Sequence, residues 1–247
     1  MSSAALFFND TAYVRTVARE RTDAESAAEA QGAVRLAGCA PGSAVLDAGC
    51  GTGRHSWPLA GAGYKVVGLD CAPVLVAAAR GATRDSVRPR FVRGAYAALP
   101  FGPGSFNAVL CLGTALGYRG EAGDRAALRE FRRVLASGGR LVVETLHRAE
   151  LGARLGEYEE RPLPSGGVLR FDRRFDRRRS TMHETQRLAD GAGGGLPHAY
   201  ELRVYGEREL RGMLEDAGFA VTGRHASLGG EGEPSAVSPL VLVAEAI

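Results

Sequence analysis

The residues best equipped for chemistry form one string, Val45-Leu46-Asp47-Ala48-Gly49-Cys50-Gly51-Thr52-Gly53-Arg54-His55, in which three glycines alternate at the end of a short apolar run. Glycine lets the main chain take left-handed turns and lets a ligand press against bare backbone. A helix opening just beyond it offers unpaired N–H groups. A nucleoside ligand fits that geometry. Seventeen residues after Gly53, Asp70 closes the next apolar run, where a carboxylate can accept two hydrogen bonds from ribose hydroxyls. A dinucleotide fingerprint would read G-x-G-x-x-G. Here the third glycine comes one residue early, which leaves a nicotinamide oxidoreductase a distant reading.

Other chemistries find little support. Lys65 is the only lysine and follows Tyr64, so there is no Walker A loop and no pocket-forming lysine for pyridoxal phosphate. No serine is flanked by glycines at minus two and plus two, and His183-Glu184 fails to complete His-Glu-x-x-His at Arg187. Cys39, Cys50, Cys71 and Cys111 form no C-x-x-C pair, so no metal is expected and the cysteines read as buried free thiols of a reducing compartment. No apolar run of membrane-spanning length is present, and the first residues lack the basic and apolar regions of a signal peptide. A cytoplasmic location and no membrane partner are expected. The formal charge of +3 comes from 31 basic and 28 acidic residues, and 30 of the basic ones are arginine. That skew looks like base composition and argues little for nucleic acid.

The elements that must position the glycine string alternate between helix and strand. At 247 residues the chain is one large domain or a domain with an elaboration, and burying on the order of 70% of its unfolded surface gives it a full core. Thr22 and Glu25 are spaced as a capping box opening a helix to about Leu36. The run Ala44 to Ala48 reads as a buried parallel strand, followed by a helix from about His55 to Ala62. Next come a strand Lys65 to Asp70 and an Ala-rich helix with Pro73 in its first turn. Arg90 to Arg93 and Asn107 to Leu112 are further strands. Leu128, Phe131, Val134 and Leu135 share a helical face that Ser137-Gly138-Gly139 stops before a strand at Leu141 to Val143. From about Gly156 to Tyr205 apolar and polar residues alternate instead, as in half-solvated antiparallel strands, with a flexible connection beginning at Asp190. Leu210, Met213, Leu214 and Ala217 mark a last helix, with strands at Phe219 to Gly223 and Pro239 to Ala246.

Asp47, the alternating glycines and Asp70 together resemble the class I S-adenosylmethionine-dependent methyltransferases, and the likeness runs from about Phe8 to the C-terminus. The nearest type is the bacterial small-molecule methyltransferase, with a similar leading element from Tyr13 to Thr22, Gly-Arg-His after the glycine loop, and a late antiparallel insertion. The resemblance implies an α/β fold, a Rossmann-like seven-stranded mostly parallel sheet flanked by helices, with an antiparallel β insertion before the last helix. The expected divisions are an N-terminal helical lid at 1–37, a cofactor-binding core at 38–155 and 206–247, and a cap at 156–205. It implies S-adenosylmethionine as cofactor and S-adenosylhomocysteine as product. Cofactor contacts are expected from Tyr13, Arg21, Asp47, Gly49, Cys50, Gly51, Gly53, Asp70, Cys71, Ala95, Tyr96 and Leu112. Gly94-Ala95-Tyr96 departs from the family's Gly-Asp-Xaa, whose acid meets the adenine amino group. Ala95 cannot do that, so backbone, Tyr96 and packing by Cys71 and Leu112 must.

Methyl transfer from a sulfonium is an in-line displacement that mainly needs alignment, and a proton-bearing nucleophile also needs a base. Tyr118, Glu144 and His147 stand at strand ends facing the cofactor, and Tyr118, His147, Arg170, His183 and Tyr200 are candidates for holding a small-molecule substrate. Arg170 to Arg179 holds six arginines, read either as a solvated hairpin face with Asp-Arg pairs or as a rim for an anionic substrate. Cys111 to Tyr118 lacks the Asn-Pro-Pro-Tyr type of motif, which disfavours a nucleic-acid substrate. A non-methylating cofactor-binding protein and a methyltransferase of RNA or protein remain as alternatives, and a homodimer is compatible with the reading. The first twenty residues and the loop Gly229 to Pro234 are expected to close over the pocket.

Overall fold

The computed structural model describes residues 21–82, 88–151, 156–163, 167–189, 197–230, 232–235 and 238–247, together with Phe8 and Val14. Helix α1 (Asp23–Leu36) starts at Thr22, whose hydroxyl accepts the Glu25 amide at 3.2 Å while the Glu25 carboxylate accepts the Thr22 amide at 2.8 Å. This is the capping box that the spacing predicts. Then follow β1 (Ala44–Ala48), α2 (Ser56–Gly61), β2 (Lys65–Asp70), α3 (Pro73–Gly81), β3 (Arg90–Arg93), β4 (Phe106–Cys111), α4 (Gly120–Val134) and β5 (Leu135–Thr145). The later elements are β6 (Tyr158–Pro162), β7 (Val168–Asp176), β8 (Thr181–Ala189), β9 (His198–Arg203), α5 (Glu207–Asp216), β10 (Phe219–His225) and β11 (Leu240–Ala246).

Seven strands form one sheet in the order β10-β11-β5-β4-β1-β2-β3. The five from β1 to β5 run parallel, while β11 is antiparallel to both β5 and β10. Because β1 pairs with β2 on one side and β4 on the other, the chain winds away from it in both directions. The loops after β1 and β4 therefore diverge and leave a crevice at the strand ends. Apolar side chains from both faces fix this sheet. Leu128, Phe131 and Val134 of α4 are fully buried, each worth about 1.5–3 kcal/mol.

Leu135 corrects one expectation. It is buried like its helical neighbours, but the backbone is already extended there and pairs with Phe106, so the apolar periodicity runs on into β5 past the end of α4. The glycines at 138 and 139 lie inside the irregular start of β5, before Arg140 rejoins opposite Ala108. A second correction concerns the thiols: Cys50 and Cys111 are buried, but Cys39 is half-buried and Cys71 is exposed. Cys71 follows the last residue of β2 and sits where the sheet gives way to the crevice.

Strands β6 to β9 make a separate antiparallel sheet in chain order. Most of its arginines behave as a solvated face: Arg170 meets Glu160 at 2.8 Å, and Arg187 pairs with Asp172. Arg173 does not. It is 8% exposed and donates from Nε to Glu184 and from Nη1 to Glu159, both at 2.6 Å. This sheet docks on the core through β9, where the Arg203 amide donates to the Gly117 carbonyl at 3.0 Å. The connection over 190–196 lies outside the described residues.

Candidate functional site

The crevice opens into a cavity of about 880 Å³, lined from the ends of β1, β2, β4 and β5, from α1 and from the edge of the second sheet. At one end lies the glycine loop. Gly49 and Gly51 both hold positive φ, at 83° and 55°. A side chain on Gly49 would stand 2.1 Å from the Tyr96 hydroxyl oxygen and 2.7 Å from the Ala115 methyl, so only glycine fits there. At Gly51 the corresponding space is open. Asp70 ties this loop down: one oxygen accepts the Gly51 amide at 3.0 Å and the other the Ala72 amide at 2.9 Å. Burial pushes its carboxyl above the usual range, and the amides of Ala72, Gly51 and Cys71 work against the rise. A carboxylate has about four acceptor positions, so these amides do not exhaust its capacity to accept.

Helix α1 reaches the same end. Glu29 holds the Arg54 guanidinium and, at 3.1 Å, the His55 ring, with Arg21 at 3.9 Å. Burial alone would raise its carboxyl, but His55 and Arg54 more than reverse that and hold it at about 2. The carboxylate thus fastens the N-terminal helix to the residues just after the glycines.

The rest of the wall is aromatic and carries charges of both signs. Tyr118 meets Phe8 edge-on at 4.9 Å and Tyr200 at 5.4 Å, and the Tyr200 hydroxyl donates to buried Glu184. Glu144 closes the loop after β4 by accepting the Gly113 amide at 2.9 Å. Arg119 from the start of α4 and Arg161 from β6 complete the wall. Asp124, 2% exposed, lies at the floor and accepts the hydroxyl of fully buried Tyr205 at 2.6 Å. Burial pushes its carboxyl up to about 6, against the pull of that hydroxyl.

Of the expected cofactor contacts, Arg21, Gly49, Cys50, Gly51, Asp70, Cys71, Tyr96 and Leu112 line the cavity. Asp47, Gly53 and Ala95 stand behind the wall. Asp47 accepts the Ser56 hydroxyl at 2.6 Å, and a side chain at Gly53 would strike the Phe91 ring at 2.7 Å. Tyr13 lies outside the described residues. Of the acceptor-side candidates, Tyr118 and Glu144 line the cavity and Tyr200 backs Tyr118. His147, Arg170 and His183 are not brought to it. His147 lines a second cavity with Arg148 and Phe175, while Arg170 pairs with Glu160 and exposed His183 with Glu201. Pro239 reaches the cavity, but Gly229 and Gly230 do not. Glu29, Arg119, Asp124 and Arg161 are the wall residues that sequence reasoning missed. Glu29 and Asp124 have partners on distant elements, while Arg161 pairs within its own strand with Glu159, so no local spacing announces a place in the wall. No cluster of acids, histidines and thiols among the described residues is placed to hold a metal ion. No helix among them is long and apolar enough to cross a membrane.

Residues 45–139, the stretch from β1 into β5, match the family model of a methyltransferase domain. Among curated proteins, the chain is 36% identical over 135 residues to a demethylmenaquinone methyltransferase of Renibacterium salmoninarum, covering 53% of this chain and 54% of that one. It is 29% identical over 211 residues to a ubiquinone/menaquinone biosynthesis C-methyltransferase of Cellvibrio japonicus, covering 80% and 75%. The chain spans about half the length of the first curated relatives it matches. Among solved structures, the CcbJ methyltransferase of Streptomyces caelestis superposes with a TM-score of 0.83 at 24% identity, over 97% of this chain and 98% of that one, and so shares the fold. CalS10, an amino pentose methyltransferase of Micromonospora echinaspora solved with S-adenosylmethionine bound, gives 0.67 at 25% identity over 92% of each.

Proposed function

We propose that this chain, which carries a methyltransferase domain from β1 into β5, is an S-adenosylmethionine-dependent enzyme that methylates a nucleophilic N, O or C atom of a small metabolite. The observation that carries the reading is the single cavity with two unlike ends: a glycine loop pinned by Asp70, and an aromatic chamber around Tyr118. The fit to the cofactor rests on the open space over Gly51, the free acceptor positions of Asp70 and the bare backbone at Gly49. The bound cofactor supplies an electrophilic methyl group on a sulfonium.

In this reading Asp70 takes the ribose hydroxyls, Gly49 and Gly51 bring backbone against the methionine portion, and Tyr96, Cys71 and Leu112 pack about the adenine. Arg21 serves the same end, and Tyr13 extends the set from outside the described residues. Positioning of the acceptor falls to Tyr118, which Phe8 and Tyr200 hold from two sides. Holding two reactants in line is worth ~7 kcal/mol or more, so alignment alone accounts for much of the catalysis. Of the five histidines only His55 lines the cavity, at the donor end and engaged with Glu29. An acceptor that must lose a proton therefore has Glu144 and Tyr118 as its nearest proposed bases.

Isothermal titration with S-adenosylmethionine and S-adenosylhomocysteine tests the donor end. Both should bind with micromolar dissociation constants, and Asp70→Ala should lose at least 100-fold, about 2.7 kcal/mol or more. Absence of binding to the unaltered protein sinks the reading.

A further inference from the structure

Tyr96 is held firmly along its ring and left open at its tip. The amide of Gly94, just after β3, donates to the Asp70 carbonyl at 3.0 Å and so ties this loop to the end of β2. The Tyr96 ring then packs against fully buried Phe131 of α4, with centroids 5.6 Å apart. From that seat the side chain reaches the glycine loop. A Cβ on Gly49 would stand 2.1 Å from the Tyr96 hydroxyl oxygen and 2.7 Å from the methyl of Ala115, which belongs to the loop after β4. The hydroxyl therefore lies where the loops after β1 and β4 part to form the crevice, and Tyr96 lines the cavity there. It makes no hydrogen bond with a described residue. Burial, with smaller help from Cys111 and Asp70, pushes its ionisation well above the usual tyrosine range, so the group is a neutral phenol.

In S-adenosylmethionine the sulfur is the atom that joins the ribose to the methionine chain. In the donor-end reading above, Asp70 beside Gly51 marks the ribose and the Gly49 backbone marks the methionine chain. A group that touches Gly49 and has Asp70 among its electrostatic neighbours falls between those two marks. We propose that the Tyr96 hydroxyl oxygen faces the sulfonium and its methyl group, and is the group by which the site tells the charged donor from the uncharged product. Oxygen lone pairs are drawn to a positive sulfur, and hydrogens on a methyl group polarised by that sulfur act as weak C–H donors. The thioether of S-adenosylhomocysteine carries neither the charge nor the methyl group, so the contact lapses once transfer is complete. Tyr96 is thus a positioning residue: it holds the methyl group in place and lets spent product yield to fresh donor. The inference rests on the donor-end reading, because only that reading puts a sulfonium at this place.

Tyr96→Phe keeps the ring against Phe131 and removes the oxygen alone. Parent and variant are each titrated calorimetrically with S-adenosylmethionine and with S-adenosylhomocysteine. Affinity for S-adenosylmethionine should fall about fivefold in the variant while that for S-adenosylhomocysteine stays within about twofold. The two ligands share adenine, ribose and amino acid, so a disturbed fold or a lost ribose contact would weaken both alike. A parallel loss for both therefore overturns the proposal and gives the hydroxyl to the shared part of the ligand. Unchanged affinity for both overturns it too, as does a larger loss for S-adenosylhomocysteine. If the parent binds neither ligand, the donor-end reading falls and takes this proposal with it, whereas binding of both by the parent with an unaltered ratio in Tyr96→Phe removes this proposal alone.

Discussion

The two ends of the cavity are built from different materials. The donor end is built around one continuous β1–loop–α2–β2 unit, whose loop amides are held by Asp70 and whose Arg54 and His55 are tied to Glu29 of α1. The acceptor end is assembled from pieces that are remote in sequence: the loop after β4, the first turns of α4, the edge strand β6 and, behind Tyr118, β9 of the second sheet. A ligand common to many reactions can be served by a fixed local geometry, whereas a variable partner is met by surfaces that can change independently. If that division holds, damage at one end should leave the other able to bind.

The severest break should come at Gly49. Gly49→Ala forces a methyl group into the Tyr96 hydroxyl at 2.1 Å and into Ala115 at 2.7 Å, on a backbone with φ of +83°. Donor-analogue affinity should fall more than 100-fold by titration calorimetry, with a loss of folding stability of about 2 kcal/mol, the scale of overpacking plus left-handed strain. An affinity within threefold of the parent would mean that the loop does not touch the cofactor.

A break of similar energy but opposite address lies in the second sheet. Glu184 is 4% exposed and takes Arg173, the Tyr200 hydroxyl and the Gln186 amide. Glu184→Leu leaves a buried guanidinium with Glu159 as its remaining acid and should cost about 3 kcal/mol in denaturant unfolding, the magnitude for halving a buried pair. S-adenosylhomocysteine affinity should stay within twofold. A tenfold loss would join the two ends that the structure keeps apart.

What the sequence disclosed divides along the same line. The glycine string and Asp70 were legible because left-handed backbone and a carboxylate that holds the loop amides demand fixed residue types at fixed spacing within one βαβ unit. Capping fixed the start of α1, and apolar runs fixed the strands, since both signals are local. The direction of Asp47 was not legible, because β1 is buried on both faces and nothing in its pattern says which side a carboxylate takes; it accepts the Ser56 hydroxyl. His147 stood at the end of β5 by pattern, yet the chain turns at once into a short 3₁₀ helix, Arg148–Glu150, beside the second cavity. Arg119, Asp124 and Arg161 had no signal, because each owes its place to the docking of distant elements.

The finest discrimination between the ends is their response to pH, where two carboxylates should act with opposite sign. Burial holds Asp124 at about 6 in the fold against an ordinary value near 3.9, so its ionised form is penalised by the fold. That penalty is absent below pH ~4, grows as pH rises from 4 to 6 and is complete above that, worth about 3 kcal/mol. Asp124→Asn keeps an oxygen for Tyr205 and removes the penalty. Its melting temperature relative to the parent should therefore climb between pH 4 and 7, and a flat difference would show that Tyr205, Arg119 and Arg203 already compensate the buried charge. Glu29, held at about 2 by His55 and Arg54, does the reverse. Its contribution is present above its unfolded value near 4.5 and is lost as pH falls toward 2. Because its side chain is 24% exposed, solvent screening brings this down to about 1 kcal/mol. Glu29→Gln should thus be the less stable protein at pH 6 and approach the parent near pH 3, in unfolding curves followed by circular dichroism. A deficit that persists unchanged to pH 2 would mean that the helix is fastened by packing rather than by charge, and the donor end would then owe its closure to the apolar contacts of α1.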